Sequence, residues 1–178
     1  MKKILGFDIS SSTIGYGLIG FDDVETKIIE YGHLKPPGSE KGSLAFRALS
    51  ASKMLKELLL KINPDYVAFE DYANRFSEGR SSARTIIVLS VFNETSSMTC
   101  LETLGFEPIK YPAVTIRSSL SKIKGDKITS KEDAFDFICK NYPDFKLKYK
   151  KTGKIKDECF DEADAIAVAL TFLNKEKK

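Results

Sequence analysis

The sequence predicts an α/β fold, a five-stranded mixed sheet flanked by helices in the order β-β-β-α-β-α-β-α-α. Three observations carry this reading: short alternating apolar runs open the chain, a run with helical spacing follows, and helical and strand patterns alternate from there. Residues 4–9, 14–21 and 27–34 read as an antiparallel meander, separated by Ser-rich and Asp-rich turns. Pro36, Pro37, Gly38 and Gly42 interrupt it. Leu44, Ala48, Ala51, Leu55, Leu58, Leu59 and Ile62 then recur at helical spacing, and Asn63-Pro64 stops that helix before a buried strand over residues 66–70. A crossover helix favours parallel pairing of this strand with the first. A long helix over about residues 82–104 is ended by Gly105, and a fifth strand covers residues 107–111. Thr129 with Glu132 has the capping-box spacing, which opens a helix through about Lys140 that Asn141-Tyr142-Pro143 ends. The last helix covers about residues 160–172, with Ala165, Val168, Ala169 and Phe172 facing inward.

At 178 residues and 42% apolar content the chain is long enough to bury its own core, which excludes a disordered chain. One domain is expected over residues 1–178, with a basic insertion or loop around residues 144–157. No apolar run approaches the roughly 18 residues of a membrane span, and Met1-Lys2-Lys3 leads into a strand pattern in place of a signal peptide, so a cytoplasmic protein is expected. Cys100, Cys139 and Cys159 are odd in number and far apart, which fits free thiols and neither a disulfide frame nor a zinc site. His33, the single histidine, reads as a surface residue, and its isolation argues against histidine-dependent triads. Chemistry falls to carboxylates and lysines.

Charge is unevenly placed: between Lys110 and Lys156 thirteen basic residues stand against five acids in a chain of net charge +3. A stripe of this kind suits a polyanion, because each Lys or Arg contact to a phosphate releases a condensed counterion. Arg117, Lys122, Lys124, Lys127 and Lys131 are its candidate DNA contacts, and the interleaved Tyr142, Phe145 and Tyr149 are available to stack or to pack. A solvated lysine-rich loop is the plainer reading of the same stretch.

Four carboxylates occupy places where a core residue would otherwise stand. Asp8 lies near the end of the first apolar strand and Glu70 closes another, so neighbouring strands would bring both out at one edge of the sheet, where open α/β sheets bind ligands. Asp161 and Asp164, three apart, share one face near the start of the last helix. Each has a plainer reading: Asp8 as a turn residue before the serines, Glu70 as a solvent-facing strand end, Asp161 and Asp164 as first-turn acids favoured by the helix dipole. Together they repel one another unless hard cations sit among them, and Mg²⁺ commonly combines a few carboxylates with substrate phosphate. The constellation is that of a two-metal site for phosphodiester hydrolysis.

In these stretches the sequence resembles the RuvC-like Holliday-junction resolvases of the ribonuclease H-like superfamily. The resemblance rests on Ile4-Leu-Gly-Phe-Asp8 continuing to Thr13-Ile-Gly15-Tyr16-Gly17, on Val67-Ala-Phe-Glu70, and on Asp161-Glu-Ala-Asp164-Ala-Ile-Ala-Val-Ala-Leu170, the most specific of the three. It implies a ribonuclease H-like fold and a homodimeric endonuclease that makes paired nicks in four-way DNA junctions, leaving 5′-phosphate and 3′-hydroxyl ends. It implies Mg²⁺, with Mn²⁺ able to substitute, as two ions held by Asp8, Glu70, Asp161 and Asp164. Lys131 falls at the family's catalytic basic position and Arg117 is a second candidate. The helix over residues 82–104 looks like the family's dimer helix, with Ile86, Ile87, Leu89, Val91 and Phe92 providing more apolar surface than one core face requires; a core helix of a monomer is the plainer reading.

There are departures. Ile9-Ser10 stands where the family has Pro-Gly, and Ala73 stands near the place of a junction-stacking aromatic, for which Tyr72 or Phe76 are the substitutes. Residues 146–156 are longer and more basic than in typical bacterial members. The alternatives are a broader fork or flap endonuclease of the same fold, a non-catalytic junction-binding relative, and an ATPase of this fold. The last is opposed by Asp8-Ile-Ser-Ser-Ser-Thr13, which lacks the phosphate-loop glycine, and by a length too short for two lobes.

Overall fold

A computed structural model describes residues 1–71 and 83–176. β1 (Lys2–Ile9), β2 (Ile14–Phe21) and β3 (Thr26–Leu34) form the meander, and α1 (Leu44–Ile62) crosses to β4 (Tyr66–Asp71). α2 (Ala83–Leu104) leads to β5 (Ile109–Pro112), and α3 (Ala113–Lys124), α4 (Lys131–Asn141) and α5 (Glu158–Glu176) follow. The strand order is β3-β2-β1-β4-β5, antiparallel within the meander and parallel from β1 through β4 to β5. The expected mixed five-stranded sheet is therefore present. Among the described residues no helix is long and apolar enough to cross a membrane.

Period-two alternation sorts the strand side chains between two cores. Leu5, Phe7, Ile9, Val67 and Phe69 join Leu55 and Leu59 of α1 and Phe92 and Cys100 of α2. Ile4, Ile19 and Ala68 join Ile116 and Leu120 of α3, Ile138 of α4 and Ile166 and Leu170 of α5. α5 is buried on nearly every side, consistent with its run of alanines and branched residues. Ser43 caps α1 by accepting from the Phe46 N–H, and Asn63 ends it at φ 46°, a left-handed position that asparagine tolerates better than most residues.

The sequence-based order lacks one helix. α3 falls in the stretch that reads only as a basic region, because its twelve residues bury only Ile116, Ser119 and Leu120 and its Ser and Thr content blurs the helical pattern. The capping box is displaced by one residue: Ser130 accepts from the Asp133 N–H and Asp133 reaches back to the Ser130 N–H, so the pair is Ser130 with Asp133 and not Thr129 with Glu132. Thr129 adds its own N–H and hydroxyl to Asp133, each at 2.9 Å. β5 starts two residues later than expected, and α5 is longer at both ends. Within the loop before α5, Tyr149 bridges Ile155 and Gly153 turns the chain at φ 78°. Phe145 and Tyr142 pack: Phe145 lies 4.9 Å from the Tyr31 ring and Tyr142 meets Phe137 edge-on, which leaves only Tyr149 of the three exposed. Cys100 and Cys159 are buried free thiols and Cys139 is partly exposed.

Candidate active site

Parallel pairing of Phe7 with Phe69 puts Asp8 and Glu70 side by side at the ends of the two central strands. Asp8 shares its face with Ile4, and Glu70 with Ala68, so both carboxylates lie on the side of the sheet that carries α5. They are only 6% and 7% exposed, well below what a solvent-facing strand end would show. The turn after Asp8 is closed by Ser10, whose hydroxyl accepts from the Thr13 N–H at 3.0 Å and donates to the Thr13 carbonyl at 2.7 Å. Arg47 of α1 braces the same turn, donating to the carbonyls of Ser11 and Pro37 at 2.8 Å each.

α5 brings the second pair of acids over the sheet because β1 and β2 carry glycines beneath it. A Cβ on Gly6 would come within 2.3 Å of the Ala165 carbonyl oxygen, and one on Gly17 within 2.7 Å of Ile166. Gly15, the cross-strand partner of Asp8, faces Asp161 itself. The helix thus sits at a depth only glycine permits, and its first two turns meet the ends of β1 and β4.

Electrostatics show the convergence. Burial, then the charges of Glu70 and Asp164, push the Asp8 carboxyl up to about 8, with Lys131 opposing and Asp161 adding to the push. Burial and the Asp164 charge likewise raise Asp161, against Lys131 and His33. Lys131, the first residue of α4, places its Nζ 2.6 Å from Asp164 Oδ2. Burial works against the charge of that ammonium, but Asp164 and Asp8 outweigh it and hold its pKa above the ordinary lysine value.

Lys131 is therefore the one member of the basic stripe that acts on Asp8 among the described residues. Arg117, Lys122, Lys124 and Lys127 are not brought to the acids: Lys124 pairs with Asp126 at 3.1 Å, and all four lie on or just after α3. Lys110, Lys148 and Lys150 also have carboxylate partners. The stripe is thus in good part an intramolecular ion-pair surface. Tyr72 and Phe76 lie outside the described residues.

Two supports are not apparent from sequence. Glu162, fully buried beside Asp161, lies 2.8 Å from His33 Nδ1 and 2.7 Å from Lys148 Nζ. His33 is therefore a partner of a buried carboxylate and not the plain surface residue expected. Asn93 of α2, also buried, donates to the Glu70 carbonyl at 3.3 Å. A Glu inside an apolar helix is the one available signal for the first; none points to the second.

Among the described residues, no three Asp, Glu, His or Cys side chains are set to hold a metal ion as they stand, and the Lys131 ammonium supplies the positive charge at Asp164. The donor chemistry nevertheless fits a hard divalent cation: every candidate ligand is a carboxylate oxygen, and Asp8 is held near neutrality by burial and the other acids. A cation would relieve that repulsion.

No family model matches the chain. A crossover junction endodeoxyribonuclease RuvC from Syntrophomonas wolfei is 35% identical over 77 residues, covering 43% of this chain and 44% of that protein. The matched segment thus spans less than half of the curated relative. Among solved structures, Thermus thermophilus RuvC in complex with a Holliday junction substrate superposes with a TM-score of 0.71 at 15% identity, over 99% of this chain and 96% of that one. The yeast mitochondrial Holliday junction resolvase Ydc2 gives 0.63 at 14% identity, over 97% and 78%. In sequence over one segment and in fold over nearly its whole length, the chain is similar to the RuvC resolvases.

Proposed function

We propose that this chain is a structure-selective DNA endonuclease that resolves four-way junctions by hydrolysing phosphodiester bonds. The observation that carries the reading is the gathering of Asp8, Glu70, Asp161 and Asp164, with Lys131, at the ends of the two central parallel strands of a RuvC-type fold. Asp8, Glu70, Asp161 and Asp164 would hold divalent cations, Mg²⁺ with Mn²⁺ as substitute and two per site, which when bound activate water and neutralise a departing 3′-oxygen.

The chain's own residues do the rest. Glu70 and Asp8 are fixed on rigid strands, so these two acids keep their places when a phosphate arrives, while Asp164 is freed from Lys131. Lys131 moves from Asp164 toward the phosphate and stabilises the charge that builds on its non-bridging oxygens. Ser10 and Arg47 hold the turn beside Asp8, and Asn93 holds the end of β4. The unit acts as one domain, residues 1–178, and works as a homodimer. Ile87, Met98 and Leu101 of α2 are 59%, 61% and 45% exposed, and they supply the apolar face for a two-fold contact.

The test is nicking of a labelled synthetic four-way junction beside a fork and a linear duplex of the same sequences, with Mg²⁺ present or chelated. Paired symmetric cuts in the junction alone, dependent on Mg²⁺, are expected. Equal cutting of the fork would make the enzyme a broader branched-DNA nuclease, and binding without cutting in Mg²⁺ or Mn²⁺ would defeat the catalytic reading.

A further inference from the structure

A second feature adjoins the acids. A pocket of about 350 Å³ opens beside Asp161, and neither Lys131 nor Asp164 lines it. Three lysines do: Lys35, just after β3, and Lys150 and Lys156, from the two limbs of the turn bridged at Tyr149 and Ile155. Thr13 lines it as well, and among the described residues no apolar or aromatic side chain does. Asp157, Glu158 and Asp161 complete the lining, so the pocket sets three ammoniums and a hydroxyl among three carboxylates and offers nothing for a base or an apolar ligand. Once another anion displaces Asp157 and Glu158 from their lysines, its donors are those that bind a phosphate.

Its lysines are available. Lys35 Nζ pairs with Glu158 at 2.8 Å and Lys150 Nζ with both oxygens of Asp157 at 2.9 and 2.8 Å. The Lys150 and Asp157 side chains are 41% and 85% exposed, so that pair is worth little and exchanges readily for another anion; Lys35 is 58% exposed but its partner Glu158 only 21%, which makes it the tighter of the two pairs. Lys156 makes no ion pair among the described residues. The main chain that carries Lys150 and Lys156 is ordered by the Lys150 N–H to Lys154 carbonyl and the Lys156 N–H to Lys148 carbonyl hydrogen bonds. Lys148 in turn is anchored on buried Glu162, the neighbour of Asp161, so the pocket is tied to the same helix as the acids.

We propose that this pocket holds a backbone phosphate of the DNA strand next to the phosphate at the acids, so that the strand is gripped by Lys131 on one side of the α5 start and by Lys35, Lys150 and Lys156 on the other. The proposal rests on the junction-nuclease reading and deepens it by assigning DNA contacts outside the segment around α3. Glu158 and Asp157 park two of the lysines until DNA displaces them.

The test is binding of the labelled four-way junction by the full chain across a range of salt concentrations, with nicking of the same junction in Mg²⁺ followed in parallel. Lys35→Ala, Lys150→Ala and Lys156→Ala are compared singly and together, with circular dichroism to show that each variant is folded. The triple variant is expected to bind at least tenfold more weakly, and the slope of log K against log salt is expected to fall by about 0.9 for each phosphate that is no longer neutralised. Lys156→Arg restores binding, and Glu158→Gln, which releases Lys35, tightens it. A triple variant with wild-type affinity and slope, beside a wild type that nicks the junction, overturns the pocket and leaves the nuclease reading standing. A wild type that neither binds nor nicks overturns both.

Discussion

The carbonyl oxygen of Asp161 lies so close above Gly15 that a Cβ on that glycine would sit 2.2 Å from it. Gly15 is also the cross-strand partner of Asp8, so one glycine sets the spacing between a carboxylate on the sheet and a carboxylate on the helix. The obstruction is backbone, which no rotamer change can move aside.

Gly15→Ala should therefore lift the start of α5 off β2. The expected loss is about 1–3 kcal/mol of stability, the usual cost of overpacking a filled site, read from denaturant midpoints. Nicking should fall far more than stability does, because Asp161 is displaced from Asp8 while the fold survives. Gly105→Ala is the contrast: φ there is 82° but nothing lies within 4 Å, so it should cost about 1 kcal/mol of backbone strain and leave nicking unchanged.

Legibility in the sequence depends on local pattern. β1, β2 and β4 announce themselves as short, almost continuously buried apolar runs and α1 by its helical spacing, and the acids are legible because they interrupt those runs. α3 is not, because a helix burying three residues of twelve leaves almost no period to read. The capping box slips by one because Thr129-Ser130 and Glu132-Asp133 present the motif twice, and only the chain's path decides which pair closes. The pairings of Glu162 with His33 and Lys148 span 129 and 14 residues, and the former joins elements at opposite ends of the chain. No local spacing encodes such a contact.

Asp8→Asn should separate chemistry from binding. Junction nicking is expected to drop by at least about 100-fold, beyond the effect of losing an outer-shell partner, while junction binding in chelator stays near wild type. Thermal melting gives a second readout. In chelator the variant should melt above wild type, since it removes one of four mutually repelling acids from a buried site. Saturating Mg²⁺, at about 100 times its dissociation constant, should stabilise wild type by about 2.7 kcal/mol, or several degrees, and the variant by much less. Equal Mg²⁺ shifts in both proteins would remove Asp8 from the metal site.

Lys148→Met should loosen the basic loop from α5. Glu162 has no exposed surface and relies on His33 and Lys148, so losing the ammonium leaves a buried carboxylate with one partner. Because the Lys148 side chain is 43% exposed, water can replace part of that interaction, and the expected cost is about 1.5–3 kcal/mol, below that of breaking a wholly buried pair. Limited proteolysis should then cut within residues 146–156 faster than in wild type. An unchanged denaturant midpoint together with an unchanged cleavage rate would show that Glu162 does not anchor the loop.

Asp133 gives a pH test set apart from the acids. Hydrogen bonds from the Thr129 N–H and hydroxyl and the Ser130 N–H hold its carboxyl down at about 2, against an ordinary value of 3.8. A carboxyl lowered in the folded state contributes stability that is complete above its unfolded value and is lost as pH falls through its folded value. The contribution of Asp133 should thus be constant above about pH 5 and be lost between about pH 5 and 2. Melting curves of wild type and Asp133→Ala should differ by a fixed amount from about pH 7 down to about pH 5 and draw together as pH approaches about 2. Asp133→Asn, which keeps an acceptor at the cap without the charge, should fall between the two at neutral pH. A gap between wild type and Asp133→Ala that persists unchanged at about pH 2 would mean that the α4 cap does not depend on an ionised carboxylate, and that the start of the helix bearing Lys131 is held by other contacts.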